Sequence, residues 1–174
     1  MLIKILIGVA ILVVLLAVII ATRPSAFRIA RSITIAAPAE RVFEQVNDFH
    51  AWAGWSPWEK MDPAMNRTYG GPGSGVGSTY AWQGNKKVGE GRMTIERSER
   101  PRVIGIKLEF LKPWTATNVA TFTFEPVAGG TKVTWAMDGC NGFAGKAFGM
   151  VMNFDKMVGA DFERGLAAMK ANVE

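Results

Sequence analysis

An uninterrupted apolar segment near the start of the chain limits the possible folds more than any other feature. Residues Ile5 to Thr22 contain no charged side chain, and Lys4 and Arg23 flank them. As an α-helix this segment is roughly 27 Å long, which matches the hydrocarbon core of a bilayer. Because it is apolar on every side, it lacks the single stripe of a helix that packs on a soluble core. The sequence therefore predicts a transmembrane anchor in residues 1–24 and one folded domain in residues 25–174.

A cleaved secretory signal is the main alternative for this segment. Signal cleavage sites carry small residues at the last and third-last positions before the cut. Ile19 occupies the third-last position for a cut after Ala21, and Ile20 does so for a cut after Thr22. Both candidate sites are poor, so the residues favour an uncleaved anchor and a single-pass membrane protein.

The positive charges around the segment bear on which side of the membrane holds the domain. Lys4 and the α-amine precede the segment, whereas Arg23, Arg28 and Arg31 follow it. The side richer in Lys and Arg tends to face the cytoplasm. Arg28 and Arg31 also fall in a predicted strand, which weakens the count. The count slightly favours a cytoplasmic domain, but it does not decide on which side of the membrane the domain lies.

Composition excludes several classes of function. The formal net charge is +5, and the basic residues alternate with acids, as in Glu96–Arg97, instead of clustering as a nucleic-acid site requires. The only histidine is His50 and the only cysteine is Cys140, so ligand spacing for a metal and an internal disulfide are both missing. No nucleophile stands in a recognisable pattern with a base. The sequence predicts no metal, no cofactor and no nucleic-acid partner.

The domain alternates between strand and helix patterns in a simple order. A strand at 28–36 precedes a short helix that begins near Pro38, an aromatic irregular segment at 47–60 and a Gly-rich loop at 70–77. Alternating apolar residues then predict a run of strands. These are expected at 78–83, 88–97, 103–110, 115–125 and 132–138. Because short turns separate them, the sheet should be antiparallel.

The last part of the chain changes its period. From Gly145 to Val173, apolar residues recur at steps of three and four, which predicts one long amphipathic helix. A curved sheet that grips one long helix tends to leave a pocket between the two.

Several segments resemble the START-like (SRPBCC) superfamily. The similarity lies in Ala37 to Phe43 after the first strand, in the aromatic segment Asn47 to Trp58, in Gly75 to Ser78 and in Thr131 to Trp135. The aromatic segment is similar to that of bacterial members, which implies a bacterial inner membrane for the anchor. The resemblance covers about residues 28–172. It implies an α+β helix-grip fold of the polyketide cyclase/dehydrase type, a fold that hosts binding, transfer and cyclase functions.

Large apolar side chains are the candidates for a ligand pocket. Aromatic rings stack on flat or acyl ligands, and methionines adapt to variable apolar shapes. Filling of a solid core is the alternative for the same residues. The candidate pocket residues are Trp55, Trp58, Tyr80, Trp82, Met93, Phe110, Trp114, Phe122, Trp135, Phe148 and Met152.

The sequence favours a binding protein over an enzyme. The leading hypothesis is a membrane-anchored domain that binds a lipid or another hydrophobic small molecule beside the bilayer. A cyclase or dehydrase is the alternative, with Asp155 as a candidate general base or a tyrosine such as Tyr80 for proton transfer. For Asp155, a plain ion pair with a nearby lysine is the competing interpretation. A third hypothesis is an accessory subunit whose anchor packs against other membrane proteins.

Overall fold

Seven antiparallel strands form one sheet in the computed structural model, which describes all 174 residues. Their order across the sheet is β1-β7-β6-β5-β4-β3-β2, so β2 to β7 pair in chain order and β1 pairs with β7 at one edge. Register shifts next to Gly91 and Arg97 bend the sheet where β4 pairs with β5. The strands are β1 (Ala26–Ile35), β2 (Asn66–Gly70), β3 (Thr79–Gln83), β4 (Glu90–Glu99), β5 (Val103–Lys112), β6 (Ala116–Val127) and β7 (Gly130–Cys140).

Helices cover one face of the sheet. Phe162, Leu166 and Met169 of the last helix are buried against that face, as are the alternate residues Phe122 and Phe124 of β6. This arrangement confirms the predicted α+β helix-grip fold. The helices are α1 (Leu2–Thr22), α2 (Ala39–Asn47), α3 (Trp52–Trp55), α4 (Phe143–Val151) and α5 (Phe154–Val173), with single 3₁₀ turns at Phe49–Ala51 and Pro57–Lys60.

The sheet has two ends that matter for the site. At one end, Ala26 pairs with Cys140 and Glu90 pairs with Lys112. We call this the proximal end, because the chain passes from α1 into β1 there. The tips of the β3–β4 and β5–β6 hairpins lie at the same end. The opposite, distal end carries the β2–β3 loop at 71–78.

Helix α1 is long and apolar enough to cross a membrane, and almost none of it is buried. Its last turn contacts α4. Ile20 is buried in that region, and the Lys146 Nζ atom donates a hydrogen bond to the Ala21 carbonyl oxygen at 3.1 Å. Apart from this junction, α1 stands away from the domain with its apolar side chains exposed.

Two elements differ from the sequence-based predictions. The predicted helix from Gly145 to Val173 is two helices, because Met152 and Asn153 adopt extended backbone angles. The Asn153 side chain then accepts a hydrogen bond from the Lys156 backbone N–H at 2.9 Å and caps α5. Strand β2 was not predicted, since its five residues carry little apolar alternation.

Candidate ligand cavity

A cavity of about 370 Å³ lies between the concave face of the sheet and the first half of α5. Of the 20 residues that line it, 16 are hydrophobic. Its size falls at the lower end of the range for small-molecule sites, roughly 300 to 1,000 Å³. The helix therefore leaves part of the concave face uncovered.

The predicted pocket residues fall into two groups. Five of them do not line the cavity: Trp55 and Phe122 are fully buried in the core, whereas Trp114, Phe148 and Met152 are exposed. The six that line it are Trp58, Tyr80, Trp82, Met93, Phe110 and Trp135.

Stacked aromatic rings form the inner wall of the cavity. The Trp135 ring lies 4.1 Å from that of Phe162 at an interplanar angle of 7°. Its other neighbour is Phe122, whose ring centroid is 4.8 Å away. Trp58 meets Trp135 edge to face at 5.6 Å. Offset and edge-to-face pairs of this kind stabilise one another by about 0.5 to 1.5 kcal/mol each.

A glycine sets the position of Trp82 on the neighbouring wall. Trp82 pairs with Gly91 across β3 and β4. A Cβ atom at position 91 would lie 2.4 Å from the Trp82 ring and 2.5 Å from the Glu109 carbonyl oxygen. Only the missing side chain at Gly91 lets the indole lie across β4, where it meets Phe110 edge to face at 6.0 Å.

One buried polar cluster faces the cavity. The Tyr80 hydroxyl donates to Glu59 Oε1 at 2.5 Å, and Arg67 Nε donates to Glu59 Oε2 at 2.6 Å. Burial and the bond to Glu59 raise the pKa of Tyr80 far above its ordinary value. Tyr80 is therefore a protonated donor at neutral pH. Both Glu59 oxygens are engaged, and no group of three or more His, Cys, Asp or Glu is placed to hold a metal ion.

Asp161 is a second carboxyl group in the cavity wall, and the sequence analysis missed it. Its side chain is 14% exposed and pairs with Arg164 one turn later. Burial raises the pKa of Asp161, and Arg164 offsets only part of this effect. A carboxyl with a raised pKa can exchange a proton with a ligand in the cavity. The apolar pattern of α5 gives no signal for this position, because it does not show that the Asp161 side chain faces the cavity.

Replacing Asp161 by asparagine is expected to raise the free energy of unfolding at neutral pH. Because the folded pKa lies above the ordinary value of 3.8, the folded protein holds this proton more tightly than the unfolded chain. The resulting stability is fully present below the unfolded pKa and is lost as the pH rises through the folded pKa. Asparagine cannot ionise, so the variant should gain on the wild type between acid and neutral pH in denaturant titrations.

Asp155 provides the matched control for this experiment. Its hydrogen bonds from Arg31, at 3.0 and 3.1 Å, lower its pKa. Stability from Asp155 is therefore present above its unfolded pKa and is lost in acid, so Asp155→Asn should lose stability at neutral pH. Effects of equal sign in the two variants would contradict the assignment. Asp155 is 59% exposed and lies outside the cavity.

The cavity opens at the proximal end of the sheet. Only two of its lining residues, Lys87 and Met157, are exposed. Lys87 lies at the tip of the β3–β4 hairpin, and Met157 lies in the first turn of α5. The mouth is therefore the gap between this tip and the start of α5.

A depression of about 500 Å³ lies at the distal end, among Ala36, Pro38, Pro101 and Pro126. It is broad and open to solvent, so a ligand there would stay largely hydrated. The enclosed apolar cavity is the better candidate site.

Residues 26–174 match the family model described as polyketide cyclase / dehydrase and lipid transport. The chain belongs to this family. The match begins at the first residue of β1 and includes every residue that lines the cavity. Among curated proteins, none matches the chain.

Solved structures share the fold of this family at low sequence identity. A protein from Chromobacterium violaceum aligns with a TM-score of 0.61 and 16% identity over 87% of this chain and 99% of its own. The Aha1 dimer from Colwellia psychrerythraea gives 0.61 and 16% over 85% and 96%. The di-domain ARO/CYC BexL, from the BE-7585A biosynthetic pathway, gives 0.62 and 16% over 89% of this chain and 52% of its own. These similarities show the fold alone.

Proposed function

We propose that this protein binds a lipid or another hydrophobic small molecule in the cavity while α1 holds it in a membrane. The enclosed apolar cavity of about 370 Å³ carries this proposal. Binding would be driven by removal of apolar surface from water. At about 25 cal/mol per Å², a ligand that buries roughly 300 Å² gains about 7 kcal/mol before ordering costs.

The position of α1 supports the anchoring part of the proposal. An apolar helix of 21 residues that is almost entirely unburied has the length and composition to span the hydrocarbon core of a bilayer. We assign residues 1–24 to the anchor and residues 25–174 to the binding domain. The Lys and Arg count favours a cytoplasmic domain. The anchor would place the domain where lipophilic molecules are most concentrated.

The comparisons support the ligand class. The family description names lipid transport, and an aromatic, methionine-containing cavity suits an apolar ligand of variable shape. The engaged polar cluster of Glu59, Arg67 and Tyr80 would contact a polar end of the ligand without leaving a charge unpaired.

Native mass spectrometry of the full-length protein, released from detergent micelles, tests this function. We expect one bound lipid or isoprenoid per chain, and extraction of the sample should identify it. The control is Ala120→Phe, a variant that fills the cavity. Lipids bound only around α1 should be present in both proteins, so the difference in lipid content reports the lipid in the cavity. Equal lipid content in both proteins would overturn the proposal and favour an accessory membrane subunit whose domain binds no lipid.

A proton-transfer enzyme is the second candidate function. The cavity holds the protonated Tyr80 hydroxyl beside Glu59 and, on α5, the Asp161 carboxyl with its raised pKa. In a cyclase or dehydrase reaction, a base removes a proton next to a carbonyl and an acid assists loss of water. The ARO/CYC protein with this fold makes such chemistry compatible with the architecture.

Comparison of bound ligands separates the two candidates. An enzyme should accumulate unreacted substrate in the Asp161→Asn variant. The ligand extracted from this variant should be heavier by one water than the wild-type ligand if the reaction is a dehydration, and an isomer of equal mass but different chromatographic retention if it is a cyclisation without loss of water. A binding protein should yield the same ligand from both proteins. Identical masses together with identical retention would exclude both reactions at Asp161.

A further inference from the structure

Helix α4 presents apolar side chains to solvent at the proximal end. Val151 is 86% exposed, Phe143 is 55% exposed and Phe148 is 47% exposed. The following residue, Met152, is also exposed. Lys146 is the only charged residue of α4. A helix of this composition on a free surface indicates a contact that removes it from water.

The β5–β6 hairpin adds a second apolar group at the same end of the sheet. Trp114 at its tip is 79% exposed, and Leu111 is 50% exposed. Tryptophan is enriched at membrane–water interfaces, because its indole has both an apolar body and an N–H donor. Trp114 therefore has a chemistry suited to the headgroup level of a bilayer.

Basic residues accompany these apolar groups. Lys86 and Lys87 are exposed at the β3–β4 tip, where no acidic residue stands between Gly84 and Gly89. Arg23 follows α1 directly. Glu90 at the base of this hairpin is paired with Lys112 at 2.9 Å, so it does not cancel the two lysines. Asp62 Oδ2 accepts a hydrogen bond from the Asn85 backbone N–H at 2.7 Å, so one carboxylate lies beside the two lysines of the tip. The tip keeps a net positive charge next to an apolar surface.

Continuity with α1 indicates the occupant of this surface. The last turn of α1 packs on α4, with Lys146 bonded to the Ala21 carbonyl. A bilayer that holds α1 must therefore end close to α4. The mouth of the cavity, between Lys87 and Met157, opens on the same side.

We propose that the proximal end docks on the anionic phospholipid leaflet into which α1 inserts, with the cavity mouth facing that leaflet. This docking surface consists of α4, the Trp114 tip and the Lys86–Lys87 tip. Apolar side chains of α4 enter the headgroup boundary, and the lysines attract anionic headgroups. A lipid then passes between bilayer and cavity without crossing water. This inference rests on the proposed function.

Single-cysteine labelling of the full-length protein tests the docking surface. In a Cys140→Ser background, Phe148→Cys and Trp114→Cys report on the surface, and Val76→Cys reports on the distal end, where Val76 is 57% exposed. Each protein carries an NBD fluorophore in vesicles of phosphatidylcholine and phosphatidylglycerol in equal parts. We expect lipids with an acyl-chain quencher to reduce emission about twofold or more at 148 and 114, and not at 76.

The alternative outcomes each overturn a defined part of the proposal. Equal quenching at all three positions would show that no docking takes place. A blue shift at 148 without quenching would mean that protein, such as a second copy, covers α4. Unchanged quenching at 114 in pure phosphatidylcholine would remove the role of the lysines.

Binding of dansyl-undecanoic acid to the same samples keeps this proposal separate from the proposed function. Retained binding without quenching would refute docking and leave the cavity function in place. Quenching at 148 and 114 without binding of the probe would support docking and refute the cavity function.

Discussion

Ala120→Phe is expected to reduce ligand affinity at least tenfold while the domain stays folded. Ala120 lies on β6, is 4% exposed and lines the cavity. A phenyl ring at this position would occupy part of the 370 Å³ cavity that the ligand needs. A tenfold loss corresponds to about 1.4 kcal/mol, a small part of the gain from burying an acyl chain. Titration of detergent-solubilised protein with dansyl-undecanoic acid measures the effect.

Ala167→Phe is the matched control. It makes the same chemical change on the exposed face of α5, so it should leave both binding and folding unchanged. Unfolding by denaturant checks that Ala120→Phe remains native, because overpacking of a filled core costs about 1 to 3 kcal/mol. If Ala120→Phe binds the probe as tightly as the control does, the cavity is not the binding site.

Trp135→Ala is expected to destabilise the domain by about 3 to 5 kcal/mol. Trp135 is 3% exposed and stacks against Phe162 and Phe122. Truncation would remove both contacts and join a new void to the existing cavity. Denaturant unfolding of the full-length protein in detergent measures the loss.

A second variant of Trp135 and a surface control show which property of Trp135 stabilises the domain. Trp135→Phe keeps a stacking ring and removes the indole N–H, which is buried without a hydrogen-bond partner. Its cost should therefore stay below about 1.5 kcal/mol. Trp114→Ala removes an indole that is 79% exposed and should change stability by no more than about 0.5 kcal/mol. A large loss in Trp114→Ala would contradict this account of the core.

The architecture was predictable where local pattern and tertiary packing agree. Alternating apolar residues in β5, β6 and β7 face the core as expected, because successive side chains of a strand point to opposite faces of the sheet. Because short turns connect these strands, antiparallel pairing was expected. The apolar segment before Arg23 indicated α1 by length and composition alone.

The site was less predictable, because apolar patterning does not say what covers a residue. Phe148 and Met152 continue the period of α5 and were predicted to line the pocket. The break at Met152 and Asn153 instead leaves Phe148 exposed on α4 and Met152 exposed directly after it. Trp55 and Trp58 are three residues apart, but only Trp58 lines the cavity. Asp161 lines the cavity because of how α5 packs on the sheet, a tertiary feature that local sequence patterns do not contain.

Under the proposed function, the short connection between α1 and β1 limits how the protein can deliver a lipid. Three residues, Arg23 to Ser25, separate the end of the helix from the first strand. Even fully extended, this link spans only roughly 10 to 15 Å. A domain tethered in this way cannot shuttle between two membranes. It can search within the plane of its own bilayer and hand its ligand only to an acceptor that comes to the same surface.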